Sequence, residues 1–247
     1  MEHERLRLRR GVPLLIRHYA IAVLLSALAV SAAAAQATAT ATVSRQPAGE
    51  LRHSQRPLPP SVLWLVPLQP VPAPVPEPAH PPYTLLQKNR MFMPHVLVVP
   101  VGTSVSFPNA DPFFHNVFSL YNGKRFDLGL YEKGSNRQVV FSREGVSYIF
   151  CNIHSEMSAV VIALRTPWWA QADDNGLLKI DNLQPGDYEV HLWVEGVDSR
   201  HLDRWTHRVH LTDGSQSVGS LTVDPTVLPS GHTNKFGGPY LPEVGPY

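Results

Sequence analysis

The residues best suited to chemistry lie together in Cys151-Asn152-Ile153-His154-Ser155-Glu156-Met157. A thiolate, an imidazole and a thioether in one short stretch form a soft donor set. Calcium and magnesium require oxygen ligands, and structural zinc sites draw on Cys and His in tetrahedral sets. A trigonal plane of two imidazoles and one thiolate, with a weak axial thioether, suits copper, because neither oxidation state must rearrange much. The second imidazole must come from elsewhere, and the candidate is His115, in Asp111-Pro112-Phe113-Phe114-His115-Asn116-Val117-Phe118. Phe113, Phe114 and Phe118 are expected to keep water from the site.

Cys151 is the only cysteine. Taken alone it could be an inert buried thiol, half of an intermolecular bridge, or a metal ligand; its neighbours favour the ligand. Cys151 and His154 are also the types used in nucleophilic catalysis, but the loop offers no oxyanion donors and no third group to orient the histidine. No catalysis is therefore expected.

For His115 to meet this loop, β-strands must carry both. From Tyr83 onward short apolar or alternating runs recur at Leu85 to Lys88, His95 to Val99, Thr103 to Phe107, His115 to Leu120, Gln138 to Phe141, Val146 to Cys151 and Ser158 to Leu164. Turn residues separate them, which is the texture of a sandwich or barrel. The pattern restarts after Arg165, with strands expected over 168–172, 177–180, 188–194, 206–211 and 217–223 and turns at Asp173-Asp174-Asn175-Gly176 and Gln184-Pro185-Gly186-Asp187. The fold class is all-β: a Greek-key sandwich over 61–165, then a smaller β-sandwich over 166–223.

Ahead of these, residues 1–37 read as a secretory signal, with an uncleaved membrane anchor as the alternative. Arg5, Arg7, Arg9, Arg10 and Arg17 precede an apolar run from Ala20 to Ala35, and small residues suited to cleavage follow. Residues 38–60, with their Thr-Ala repeats, read as a disordered linker. Ser61 to Val66 is a candidate first strand of the metal-bearing domain, and the alternate prolines of 67–82 form an extended strap. The tail over 224–247 carries no regular pattern, with Phe236 and Tyr240 as its means of packing on the body. No later stretch is apolar enough to span a bilayer. The expected address is periplasmic or extracellular. With 21 Lys and Arg against 20 Asp and Glu in 247 residues, the chain lacks the basic footprint of a nucleic-acid binder.

The sequence resembles the cupredoxins, the type 1 copper family of plastocyanins and especially amicyanins. Their short ligand loop is likewise Cys-x-x-His-x-x-Met, and their other histidine stands in His-Asn-Val. Phe92-Met93-Pro94 leading into His95 to Val99, Gly102 to Phe107, and Phe141 to Tyr148 carry the same resemblance. It implies that His115, Cys151, His154 and Met157 hold one copper ion. It also implies that Asn116 ties the histidine segment to the cysteine loop, and that electrons pass to a protein redox partner along the edge of His154. Ser155 stands where amicyanin-type loops commonly have proline, and Glu156 is expected to face solvent. Residues 166–223 resemble the carboxypeptidase regulatory-like, transthyretin-type sandwich through Asp174-Asn175-Gly176 and Pro185 to Val190. Copper handling without a redox task is the alternative function, and a sandwich-domain adhesion or scaffold protein is another. His191, His201, His207 and His210 are read as surface residues, since the spacing of His207 and His210 puts them on opposite faces of a strand.

Overall fold

The computed structural model describes residues 35–46, 57–71, 83–120, 123–224 and 233–240. The expected signal before Ala35, the strap beyond Val71 and the remainder of the tail lie outside the described residues. Almost every described element is a strand, so the chain is all-β. The exception is α1 (Ser199–Trp205), whose first turn is capped by the Asp198 carboxylate accepting from the Arg200 N–H.

The Thr-Ala repeat is not a tether. It forms β1 (Ala37–Arg45), in which Ala37, Ala39, Ala41 and Val43 are buried while the threonines between them are half-buried or exposed. That alternation is the period of a strand with one face in a core. β1 is the middle strand of a three-stranded sheet, antiparallel to β13 (Leu177–Leu183) and parallel to β16 (Gly214–Val223). The sheet begins at Ala37, so the last residue of the expected signal belongs to the fold. Gly176, ahead of β13, explains why the preceding turn needs glycine. Its φ is +79°, and a Cβ there would come within 2.0 Å of the Val43 carbonyl oxygen.

Strand β2 (Ser61–Pro67) forms as expected but belongs to the other sandwich. It lies between β12 (Trp169–Gln171) and β14 (Gly186–Val194) in a four-stranded sheet that ends in β15 (His207–Leu211). The smaller sandwich is thus built from both sides of the segment that carries the Cys151 loop, which is inserted between β2 and β12. Val62, Leu63 and Leu65 share a core with Leu178, Tyr188, Val190 and Trp193, and burial with these residues decides where β2 goes.

The inserted segment contains β3 (Leu86–Lys88), β4 (Met91–Met93), β5 (Val96–Pro100), β6 (Ser104–Pro108), β7 (His115–Ser119), β8 (Phe126–Tyr131), β9 (Asn136–Val140), β10 (Gly145–Cys151) and β11 (Ser158–Leu164). Five of these strands make one sheet, in the order β5-β11-β10-β7-β8; β3 pairs with β4, and β6 with β9. β11 reads as an uninterrupted apolar run because both of its faces are covered. Ala159, Val161 and Ala163 share a core with Val105, Phe107 and Ile149, whereas Val160, Ile162 and Leu164 join the core of Leu63, Leu192 and Trp193. The Trp193 Nε1–H also reaches across to the Tyr148 hydroxyl at 3.2 Å. β11 therefore joins the two cores.

His95 adds a polar tie between them. Its Nδ1 lies 3.2 Å from the Ser158 carbonyl oxygen and its Nε2 lies 2.7 Å from Glu195 Oε1. Both partners accept, so only the imidazolium satisfies both. The hydrogen bond to Glu195 raises the His95 pKa above its ordinary 6.5, against the opposing pull of burial. A group whose folded pKa is raised contributes stability that is complete below the unfolded value and is lost as pH climbs through the folded one. Melting temperature should accordingly fall as pH is raised from about 6.5 through the shifted value. In Glu195→Gln that slope should flatten; an identical slope would remove His95 as its source.

Candidate metal centre

The hairpin of β10 and β11 sets the loop. Cys151 is the last residue of β10; its N–H donates to the Met157 carbonyl at 3.1 Å, and the Met157 N–H donates to the His154 carbonyl at 3.2 Å. These bonds close the loop on itself. The Asn152 N–H then donates to the Asn116 carbonyl at 3.0 Å, binding the loop to β7, where Cys151 lies opposite Val117. Cys151, His154 and Met157 are buried, whereas Ile153, Ser155 and Glu156 are exposed. Glu156 faces solvent, as expected, with the Ser155 hydroxyl 3.3 Å from its carboxylate.

The folded chain brings His115 to the same point. Cys151 Sγ lies 3.7 Å from His115 Nδ1 and 3.6 Å from His154 Nδ1, and the three ligand atoms fall within 4.8 Å of one another. Two donors bound at ~2.0 and ~2.3 Å to one ion in a trigonal plane would be about 3.7 Å apart, so the spacing fits a shared ion. The two imidazole centroids are 4.9 Å apart. Met157 is fully buried in the same apolar cluster as Cys151. Among the described residues, no other group of three or more His, Cys, Asp or Glu side chains converges in this way. The remaining strand histidines have other partners: His191 pairs with Glu189 and stacks on Trp64, His207 Nε2 lies 2.8 Å from the Val218 carbonyl oxygen, and His210 pairs with Asp187.

Sequence reasoning overlooked Asp111. Its Oδ2 lies 3.0 Å from His115 Nε2, so that nitrogen donates and Nδ1 keeps its lone pair toward Cys151. The carboxylate also accepts the backbone N–H groups of Asn89 and Arg90, in the tight turn between β3 and β4. Burial would raise the Asp111 pKa, but these donors and His115 hold it below its ordinary value. Burial pushes the His115 pKa down and outweighs the opposing pull of Asp111. The imidazole is thereby kept neutral and able to ligate. The available signal was an acidic side chain four residues before the histidine.

Other expected roles change. Asn116 does tie β7 to the cysteine loop, but through its carbonyl; its side-chain Nδ2 donates to Asp127 at 2.6 Å, and its Oδ1 has no hydrogen-bond partner among the described residues. Phe113 packs against both imidazoles, with centroid distances of 5.3 Å to each. Phe114 points outward and is 53% exposed, so it shields nothing. Phe118 packs with Phe150, its partner across the sheet. Of the three phenylalanines, Phe113 is the one in ring contact with the ligands.

No family model and no curated protein matches the chain. Several solved structures are similar to the chain over a third or so of its length. A purple cupredoxin from Nitrosopumilus maritimus is 26% identical, over 33% of this chain and 99% of that one, with a TM-score of 0.31. A copper-containing nitrite reductase from Thermus scotoductus SA-01 is 25% identical over 39% of this chain but only 25% of its own length, with a TM-score of 0.33. The reduced Cu(I) form of an amicyanin variant is 20% identical over 36% of this chain and 87% of that one, with a TM-score of 0.32.

Proposed function

We propose that this chain is an exported type 1 copper protein that binds one copper ion through His115, Cys151, His154 and Met157 and transfers electrons between protein redox partners. The observation that carries the reading is the buried convergence of one cysteine sulfur and two imidazole nitrogens within 4.8 Å. The donor chemistry fits copper: a cysteine sulfur, two imidazoles, and a thioether buried on the same short loop. Bound there, copper would supply a one-electron couple.

The chain's own residues do the rest. Asp111 fixes the tautomer of His115, Phe113 covers both rings, and the closed loop restrains Cys151, His154 and Met157 so that a change of oxidation state meets a site that moves little. His154 is 8% exposed, and the electron would cross at that small edge. No substrate is transformed in this reading. The smaller sandwich, of the carboxypeptidase regulatory-like kind, would stabilise the inserted domain through the core shared along β11.

The test is the visible spectrum of the purified chain with Cu(II). An intense thiolate-to-copper band is expected, followed by repeated stopped-flow reduction and reoxidation without loss of metal. A folded, copper-loaded sample lacking the band would overturn the site. A band with metal lost on each cycle would favour copper handling over electron transfer.

A further inference from the structure

Residues 233–240 approach the loop just described from the far end of the chain. The segment is a compact turn in its own right: the Asn234 Oδ1 accepts the N–H groups of Phe236 and Gly238, its Nδ2 donates to the Pro239 carbonyl at 2.7 Å, and Gly237 takes a φ of +80°. Such a side-chain-closed turn holds its shape at small entropic cost.

Three bonds leave this turn for the metal-bearing segment. The Tyr240 hydroxyl donates to the Cys151 carbonyl at 2.8 Å, the Lys235 N–H donates to Asn152 Oδ1 at 2.9 Å, and Lys235 Nζ contacts Asp127 Oδ2 at 2.8 Å. Each recipient is a proposed ligand residue or within two steps of one. Cys151 supplies the sulfur, Asn152 follows it, and Asp127 is the carboxylate that holds the side chain of Asn116, next to His115. With its N–H already given to Met157, Cys151 has both backbone groups paired once Tyr240 is in place. Asp127 likewise accepts from Asn116, Gly129 and Lys235.

We propose that residues 233–240 are a clasp on the metal loop, in which Tyr240 and Lys235 are positioning residues that hold Cys151 in its ligating arrangement, Tyr240 directly and Lys235 through Asn152. The proposal rests on the copper reading for its purpose, but the clasp itself can be tested without metal. Cys151 is wholly buried, so alkylation by a thiol reagent measures how often the loop opens. Losing the phenolic hydrogen bond in Tyr240→Phe should speed alkylation of the metal-free full-length chain about two- to tenfold. Lys235→Met should act in the same direction. Tyr188→Phe, which removes a hydroxyl bonded to the Gln184 carbonyl in the smaller sandwich, should change nothing.

With copper present, Tyr240→Phe should weaken affinity by about tenfold, the range found for residues that orient metal ligands. It should also lower the midpoint potential, because the phenolic O–H dipole directed at Cys151 favours the less positive, reduced site. Unchanged alkylation in Tyr240→Phe overturns the clasp whatever copper does. Faster alkylation with unaltered affinity and potential overturns the positioning role. Faster alkylation in Tyr240→Phe, when the wild-type chain with Cu(II) gives no thiolate band, leaves the clasp standing and removes the copper reading.

Discussion

Cys151→Ser is expected to abolish the thiolate-to-copper band outright and to reduce copper affinity by more than the ~10–100-fold typical of losing a residue that only orients a ligand. The reason is chemical rather than steric. Serine occupies nearly the same volume but offers a hard, protonated oxygen where the site supplies a soft anion. In the metal-free chain the new hydroxyl would still face His115 Nδ1 and His154 Nδ1, the two nitrogens now beside the sulfur. Its unfolding free energy should therefore stay within ~1–2 kcal/mol of wild type. Optical titration and denaturant unfolding of the same preparations check both halves. Retention of the band in the serine variant would mean that the sulfur is not a ligand.

Ala41→Asp should produce the largest loss of stability at a position remote from the Cys151 loop. Ala41 is 2% exposed in the middle strand of its sheet, and an unpaired carboxylate there should cost several kcal/mol. Thr42→Asp, one residue on and exposed, should cost less than ~1 kcal/mol. The contrast is what matters, since adjacent strand residues differ only in the face they occupy. Equal losses in thermal melting would contradict the placement of β1.

The ligand loop was legible because its information is local: three donors lie within seven residues, and His115 stands in a recognisable stretch. The strand pattern from Tyr83 was legible for the same reason, since alternation and turn residues act over a few positions. β1 was hidden by its composition. Alanine buries little area and has weak strand preference, so the Thr-Ala repeat resembled low complexity although its period was that of a strand. β2 was found but misassigned, because nothing within Ser61 to Val66 says which of two later sheets supplies its partners. β8 was missed where Asp127 and Gly129 interrupt its apolar residues, and Asp111 because its role depends on the turn between β3 and β4 folding back onto it.

The insertion also fixes the order in which the parts can be completed. Gln36, at the head of β1, bonds Asp213, which lies 177 positions later, whereas β7, β10 and β11 find one another within the inserted segment. Contacts between distant positions carry the larger loop-closure cost and form late. As the chain emerges from its amino end, β1 is the first of the described strands available and one of the last to be flanked. The inserted segment can close while the sandwich built around it is still open on both sides of its middle strand.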